Sequence, residues 1–95
     1  MLFRSSVDID VGEFAMVNLN CTIGHDARLG PWTSLSAQCD ITGHVRIADC
    51  VFLGSRASII PGKTVGSRSI VGAGAVVVTD VPAAVTVVGI PARIL

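Results

Sequence analysis

From Val11 to Val77, every sixth residue of this chain is Val, Ile or Leu: Val11, Val17, Ile23, Leu29, Leu35, Ile41, Ile47, Leu53, Ile59, Val65, Val71 and Val77. No member is missing and no insertion breaks the count. Chance alone would give such a run with odds on the order of one in a million for a given phase. Two positions before each aliphatic stands a mostly small residue: Ile9, Ala15, Cys21, Ala27, Thr33, Cys39, Val45, Val51, Ala57, Lys63, Ser69 and Ala75. Gly often follows the aliphatic, as at Gly12, Gly24, Gly30, Gly54, Gly66 and Gly72. An α-helix repeats apolar residues near 3.6 and a simple strand at 2. Six is a short strand plus a corner. The aliphatic and the small residue then share one strand face and point inward. The Gly-rich positions are expected to turn the chain, because Gly tolerates backbone angles that other residues resist. Three sides make a triangular coil, so the sequence predicts an all-β fold, a single parallel β-helix of about four coils. Residues 9–86 form the helix, 1–8 a ragged start and 87–95 a C-terminal flap.

The bulk properties narrow the function classes. Ninety-five residues with zero formal net charge and 15% charged side chains make one domain with no general electrostatic case for nucleic acid. The apolar content of 51% is spread at period six, and its densest stretch, Ala73 to Val78, is far below a membrane span. The start, Met1 to Ser6, lacks an apolar signal segment, so a soluble cytoplasmic protein is expected. Cys21 and Cys39 fall in one inward column with Ala57 and Ala75. They read better as small apolar fillers than as a disulfide. The three cysteines lack zinc-site spacing.

A coil of eighteen residues predicts vertical neighbours. One outward corner column reads Val7, His25, Gly43, Pro61, Thr79, and the next reads Asp8, Asp26, His44, Gly62, Asp80. His25 therefore projects from a corner with no bulky side chain stacked above it, which leaves a lane for a long thin ligand. Asp26 lies beside His25 in sequence and below His44 in the stack. Trp32 is expected to face outward, as a subunit interface or a ligand platform.

The segment Asn18 to Gly30, with His25-Asp26 after the third aliphatic, resembles the active-site segment of the left-handed β-helix acyltransferases. The similarity is greatest to the sialic-acid O-acetyltransferase and UDP-amino-sugar N-acetyltransferase branch. Thr42 to Ile47, Ile59 to Gly62, Ile70 to Val78, Asp80 to Pro82 and the ending Gly89-Ile90-Pro91-Ala92-Arg93 fit the same family. The resemblance covers about residues 9–94, and the left-handed winding comes from it rather than from the period. It departs from the right-handed crossover usual in parallel sheets.

The resemblance implies an acetyl-coenzyme A-dependent acetyltransferase acting on a hydroxyl or amine of a small, sugar-like acceptor. His25 matches the general base, a residue type whose ordinary pKa of about 6.5 suits proton abstraction near neutral pH. Asp26 matches the acidic residue that tunes the base, and Gly43 the Gly whose N–H meets the developing oxyanion. Thr33, Ser55 and Ala73 match positions lining the coenzyme groove, Asn18 an asparagine near the acceptor, and Lys63, Arg68 and Arg93 are placed to meet its phosphates. Acetyl-coenzyme A is the co-substrate and no metal is implied, since only two histidines are present. The family is a homotrimer with sites between subunits. Relatives in this branch carry an N-terminal α/β domain that grips the nucleotide sugar, and no Gly-rich strand–turn–helix precedes the first hexad here. The chain is thus expected to lack that half. The competing reading is a trimeric scaffold or coenzyme A-binding module without turnover.

Overall fold

The computed structural model describes the backbone of residues 3–5 and, with side chains, residues 8–95. The described residues contain fifteen short strands and no helix, so none is long and apolar enough to cross a membrane. The strands fall into three sheets that form the faces of a left-handed triangular prism of about four coils, 32 × 21 × 20 Å in extent. The first face stacks Phe3–Ser5, Cys21–Ile23, Asp40–Ile41, Ser58–Ile59 and Val76–Val77. The second stacks Asp10–Val11, Arg28–Leu29, Arg46–Ile47 and Thr64–Val65. The third runs Met16–Val17, Ser34–Leu35, Phe52–Leu53, Ile70–Val71 and Thr86–Val88, closed by Arg93–Ile94. All pairings are parallel except the last, in which Val88 meets Arg93 antiparallel. Of the start expected at 1–8, residues 1, 2, 6 and 7 lie outside the described ones. Ser5 pairs with Ile23.

Packing follows the hexad. Every aliphatic of the series from Val17 onward is buried, and Ile41, Leu53, Ile59, Val65 and Val71 are fully so. Ile41 sits between Ile23 below and Ile59 above in the first face. Each coil donates backbone N–H groups to carbonyls of the next, as in Gly24 N–H to Ile41 O at 2.6 Å and Ser58 N–H to Ala75 O at 2.9 Å. Among the described residues every buried side-chain N or O atom has a partner. The rhythm contracts at the top: Val81 bridges Val65 and Val87 pairs with Val71, each sixteen residues on rather than eighteen.

The corners are built differently from the sequence expectation. Within the hexads the residues with positive φ are Asp8, Phe14, Asn20, Asp26, Trp32, Gln38, His44, Cys50, Arg56, Gly62, Arg68 and Gly74, one per hexad, and only two of these are Gly; Ala84 and Gly89 follow in the top coil. The glycines that follow the aliphatics are not the turning residues. Gly24 shows what they do. A Cβ there would lie 2.5 Å from the Gly43 nitrogen and 2.7 Å from the Thr42 carbonyl carbon. That Gly answers to close approach of the next coil, not to conformational freedom. The left-handed slot is held by residues that tolerate it, with Asn, Asp and His among them and no β-branched side chain.

The cysteines are free. Cys21 and Cys39 are buried, and their thiols face the Ser36 and Gly54 carbonyls at 3.0 and 3.2 Å. Burial, reinforced by the neighbouring Cys21 thiol, pushes Cys39 up to about 12. A raised folded-state value means that the neutral thiol's contribution to stability is complete below its ordinary value of 9.0 and is lost as pH rises through about 12. In native protein at pH 8, one thiol per chain, that of exposed Cys50, is expected to react with a disulfide reagent. All three should react in denaturant. Fast reaction of all three in the native state would contradict the closed core.

Candidate active site

The edge between the first and second faces is formed by the turns after Cys21–Ile23, Asp40–Ile41 and Ser58–Ile59. His25, Asp26, Gly43, His44, Gly62 and Lys63 all lie on it. The left-handed backbone at Asp26 and His44, φ 60 and 61, brings the two side chains outward one above the other. His44 N–H donates to the His25 carbonyl at 2.9 Å and fixes the vertical register.

The side chains converge on one carboxylate. His25 Nδ1 is 3.1 Å from Asp26 Oδ2, and His44 Nε2 is 3.8 Å from the same oxygen. The two imidazoles meet edge to face with centroids 4.8 Å apart. The hydrogen bond from His25 holds the Asp26 carboxyl below the usual carboxylate range, aided by the positive potential of His44. With the proton on Nδ1 donated to Asp26, the His25 Nε2 lone pair is the free acceptor. That nitrogen lies against Gly43, where a Cβ would be 3.1 Å from it. Among the described residues the Gly43 N–H makes no hydrogen bond within the chain. An imidazole with a free acceptor nitrogen and an unused backbone donor thus sit side by side on an open edge, with His25 and His44 side chains 57% and 59% exposed. General-base chemistry with oxyanion stabilisation uses a pair of groups of this kind.

Other residues named from sequence lie elsewhere. Ser55 and Ala73 are exposed on the edge between the third and first faces, where Gly74 N–H donates to Ser55 O at 2.8 Å. Asn18 is on that edge too, its amide donating to the Leu35 carbonyl at 2.9 Å. Arg68 is exposed on the remaining edge, Arg93 on the closing strand, and Lys63 is half-buried on the His25 edge. Thr33 is a correction. It is fully buried and its hydroxyl donates to the Ala48 carbonyl at 2.9 Å, so it faces the core rather than a groove. The inward hexad slot outweighs the motif match at that position. One copy of the chain therefore brings His25, Asp26, Gly43 and Lys63 to a single edge, and places Ser55, Ala73 and Arg68 on others.

From sequence His44 is a weaker candidate base than His25 and the residue stacked above Asp26. Its edge-to-face contact with His25 comes from the turn geometry, and the one legible signal was the eighteen-residue offset from Asp26. Trp32 is exposed and stacks on Phe14, with ring centroids 4.5 Å apart and planes at 19°. This pair adjoins the third face, whose outer side carries exposed Met16, Phe52 and Ile70. The outer positions of the first and second faces are mostly polar, with Thr22, Asp40, Ser58, Asp10, Arg28, Arg46 and Thr64.

No protein-family profile matches the chain. Individual proteins do. It is 38% identical over its whole length to mitochondrial serine acetyltransferase 3 of Arabidopsis thaliana, of which it spans 23%. Among solved structures, WeeI from Acinetobacter baumannii AYE superposes with a TM-score of 0.94 at 35% identity, covering 98% of this chain and 46% of that one. The acetyltransferase domain of PglB from Neisseria gonorrhoeae FA1090, in complex with acetyl coenzyme A, gives 0.88 at 29% identity, covering 98% and 54%. The chain spans between about a quarter and about half the length of the proteins it matches.

Proposed function

Because this chain belongs with the left-handed β-helix, hexapeptide-repeat acetyltransferases, we propose that it transfers the acetyl group of acetyl-coenzyme A to a hydroxyl or amine of a small acceptor. The observation that carries the reading is the His25–Asp26 pair beside the unused Gly43 N–H. In this reaction His25 Nε2 takes the acceptor's proton as the acceptor oxygen or nitrogen bonds to the thioester carbonyl carbon. The carbonyl oxygen becomes an oxyanion and accepts from Gly43 N–H, a contact of the kind worth a few kcal/mol. Collapse breaks the carbon–sulfur bond, and the imidazolium returns its proton to the departing thiolate. Asp26 holds the ring tautomer and its positive charge throughout.

The coenzyme groove is a proposal about assembly as well. Ser55 and Ala73 stand on a different edge from His25, so a groove that uses all three needs a second copy beside the first. The apolar outer side of the third face, with Met16, Phe52, Ile70 and the Phe14–Trp32 stack, supports packing of copies there. A homotrimer with three equivalent grooves satisfies both requirements. Arg68 and Arg93 supply cationic partners for the coenzyme phosphates, and Asn18 faces the acceptor, in a soluble cytoplasmic protein. The serine acetyltransferase among the relatives supports a small hydroxyl- or amine-bearing acceptor.

Calorimetric titration with acetyl-coenzyme A, run with a mass measurement in solution, tests this reading. One ligand per chain in a trimer is expected. A folded protein that takes up no ligand at millimolar concentration would overturn it.

A further inference from the structure

We infer that His25, Asp26 and His44 form a three-ligand site for a borderline divalent cation of the Zn²⁺ class, and that ion binding and proton abstraction by His25 exclude each other. The second half rests on the reading of His25 as base. The first half rests on geometry alone.

One ligand atom from each of His25, Asp26 and His44 lies within 4.8 Å of the other two. Two of the separations are 3.1 and 3.8 Å. A tetrahedral Zn²⁺ with bonds near 2.1 Å sets its ligand atoms about 3.4 Å apart. The two spacings to Asp26 bracket that figure and the two histidines come within 4.8 Å, so rotation of the exposed imidazoles toward each other completes the set. Three protein ligands leave the fourth position to water or another exogenous donor. Two imidazoles and one carboxylate suit Zn²⁺, Co²⁺, Ni²⁺ and Cu²⁺, whereas Mg²⁺ and Ca²⁺ prefer all-oxygen sets.

The surroundings favour a cation. A recess below the site is lined by Asp8, Asp10, Asp26 and Arg28, three carboxylates against one guanidinium. The Arg28 Nη1 group donates to the Asp8 and Ala27 carbonyls at 2.6 and 3.2 Å. The only side-chain ion-pair partners of Asp26 among the described residues are the two histidines. Among the described residues no Lys or Arg makes an ion pair with its carboxylate.

Exclusion follows from the tautomer. Proton abstraction requires the proton on Nδ1, shared with Asp26, and the lone pair on Nε2. Coordination at Nδ1 takes the lone pair of that nitrogen and moves the ring proton to Nε2. The ring then has no acceptor to offer, and Asp26 is engaged by the metal. A transition-metal ion at this edge switches the base off instead of assisting transfer.

The test is titration of untagged protein with Co²⁺, followed by its visible absorption and by displacement with Zn²⁺. One ion per chain with micromolar affinity is expected, weakened at least tenfold in His44→Asn and in Asp26→Asn. Asn tolerates the left-handed backbone at both positions, so neither variant strains the corner. Imidazole ¹⁵N spectra on Zn²⁺ saturation should show the His25 ring metal-bound at Nδ1 and protonated at Nε2. Unchanged affinity in both variants, or no uptake at millimolar Co²⁺, would overturn the site. A His25 ring left free or bound through Nε2 would overturn the exclusion. None of these readouts requires coenzyme or acceptor, so a failed transferase reading and a failed metal site are told apart.

Discussion

Replacement of His25 by Ala is expected to lower acetyl transfer by about 10²- to 10⁴-fold, the range that a positioned general base contributes. The loss should appear in kcat, with the thermal midpoint within a degree or two of the parent. His25 is exposed, lies outside the left-handed corner slot and makes no core contact. A surface change of that kind moves stability by only a few tenths of a kcal/mol. The pH profile carries a second expectation. The His25 hydrogen bond holds Asp26 below the usual carboxylate range, so the carboxylate stays charged through mildly acidic pH. Transfer should therefore show no loss from protonation of Asp26 at mildly acidic pH. Steady-state rates of coenzyme A thiol release, with a circular-dichroism melt of each protein, measure both quantities. Equal rates in parent and variant would remove His25 from the chemistry and favour a binding module.

Truncation of Ile41 to Ala should cost about 2–5 kcal/mol, the usual range for a fully buried aliphatic whose cavity the surroundings cannot fill. Ile41 is completely buried, and its strand neighbours Ile23 and Ile59 are held in register by backbone hydrogen bonds. Collapse of the stack onto the gap would require the coils to approach more closely than their ladder allows. In a solenoid each coil is stabilised mainly by its neighbours, so loss at one coil weakens two interfaces. Urea unfolding should show a lower midpoint at unchanged slope. A loss below about 1 kcal/mol would mean that the aliphatic columns are not what holds the prism together.

Much of this architecture was legible because the relevant interactions repeat along the chain. The aliphatics from Val17 onward, and most of the small residues before them, map onto the core, with Val11 exposed and Ile9, Ala15 and Lys63 half-buried. The period predicted vertical partners such as Thr22 with Asp40 and Ser34 with Phe52. The corner conformation was misread, although a signal for it existed. Residues 8, 14, 20 and onward to 74 include no Val, Ile or Thr, which is what a left-handed slot demands. The glycines drew attention instead, and their role is close approach between coils. Thr33 carried two conflicting signals, an inward hexad slot and a motif match. Burial decided, because the core offers its hydroxyl the Ala48 carbonyl.

The sequence by itself determined the three-sided coil, the inward columns and the stacking of His25, Gly43, Asp26 and His44 at one edge. Each depends on the count of residues per side and on which side chains avoid water. Only the tertiary structure decided that Asp26 is shared between two imidazoles, that Ser55, Ala73 and Arg68 stand on other edges, and that the top coil is two residues shorter. Those outcomes depend on turn dihedrals and side-chain rotation, which vary by ångströms while the six-residue period stays the same.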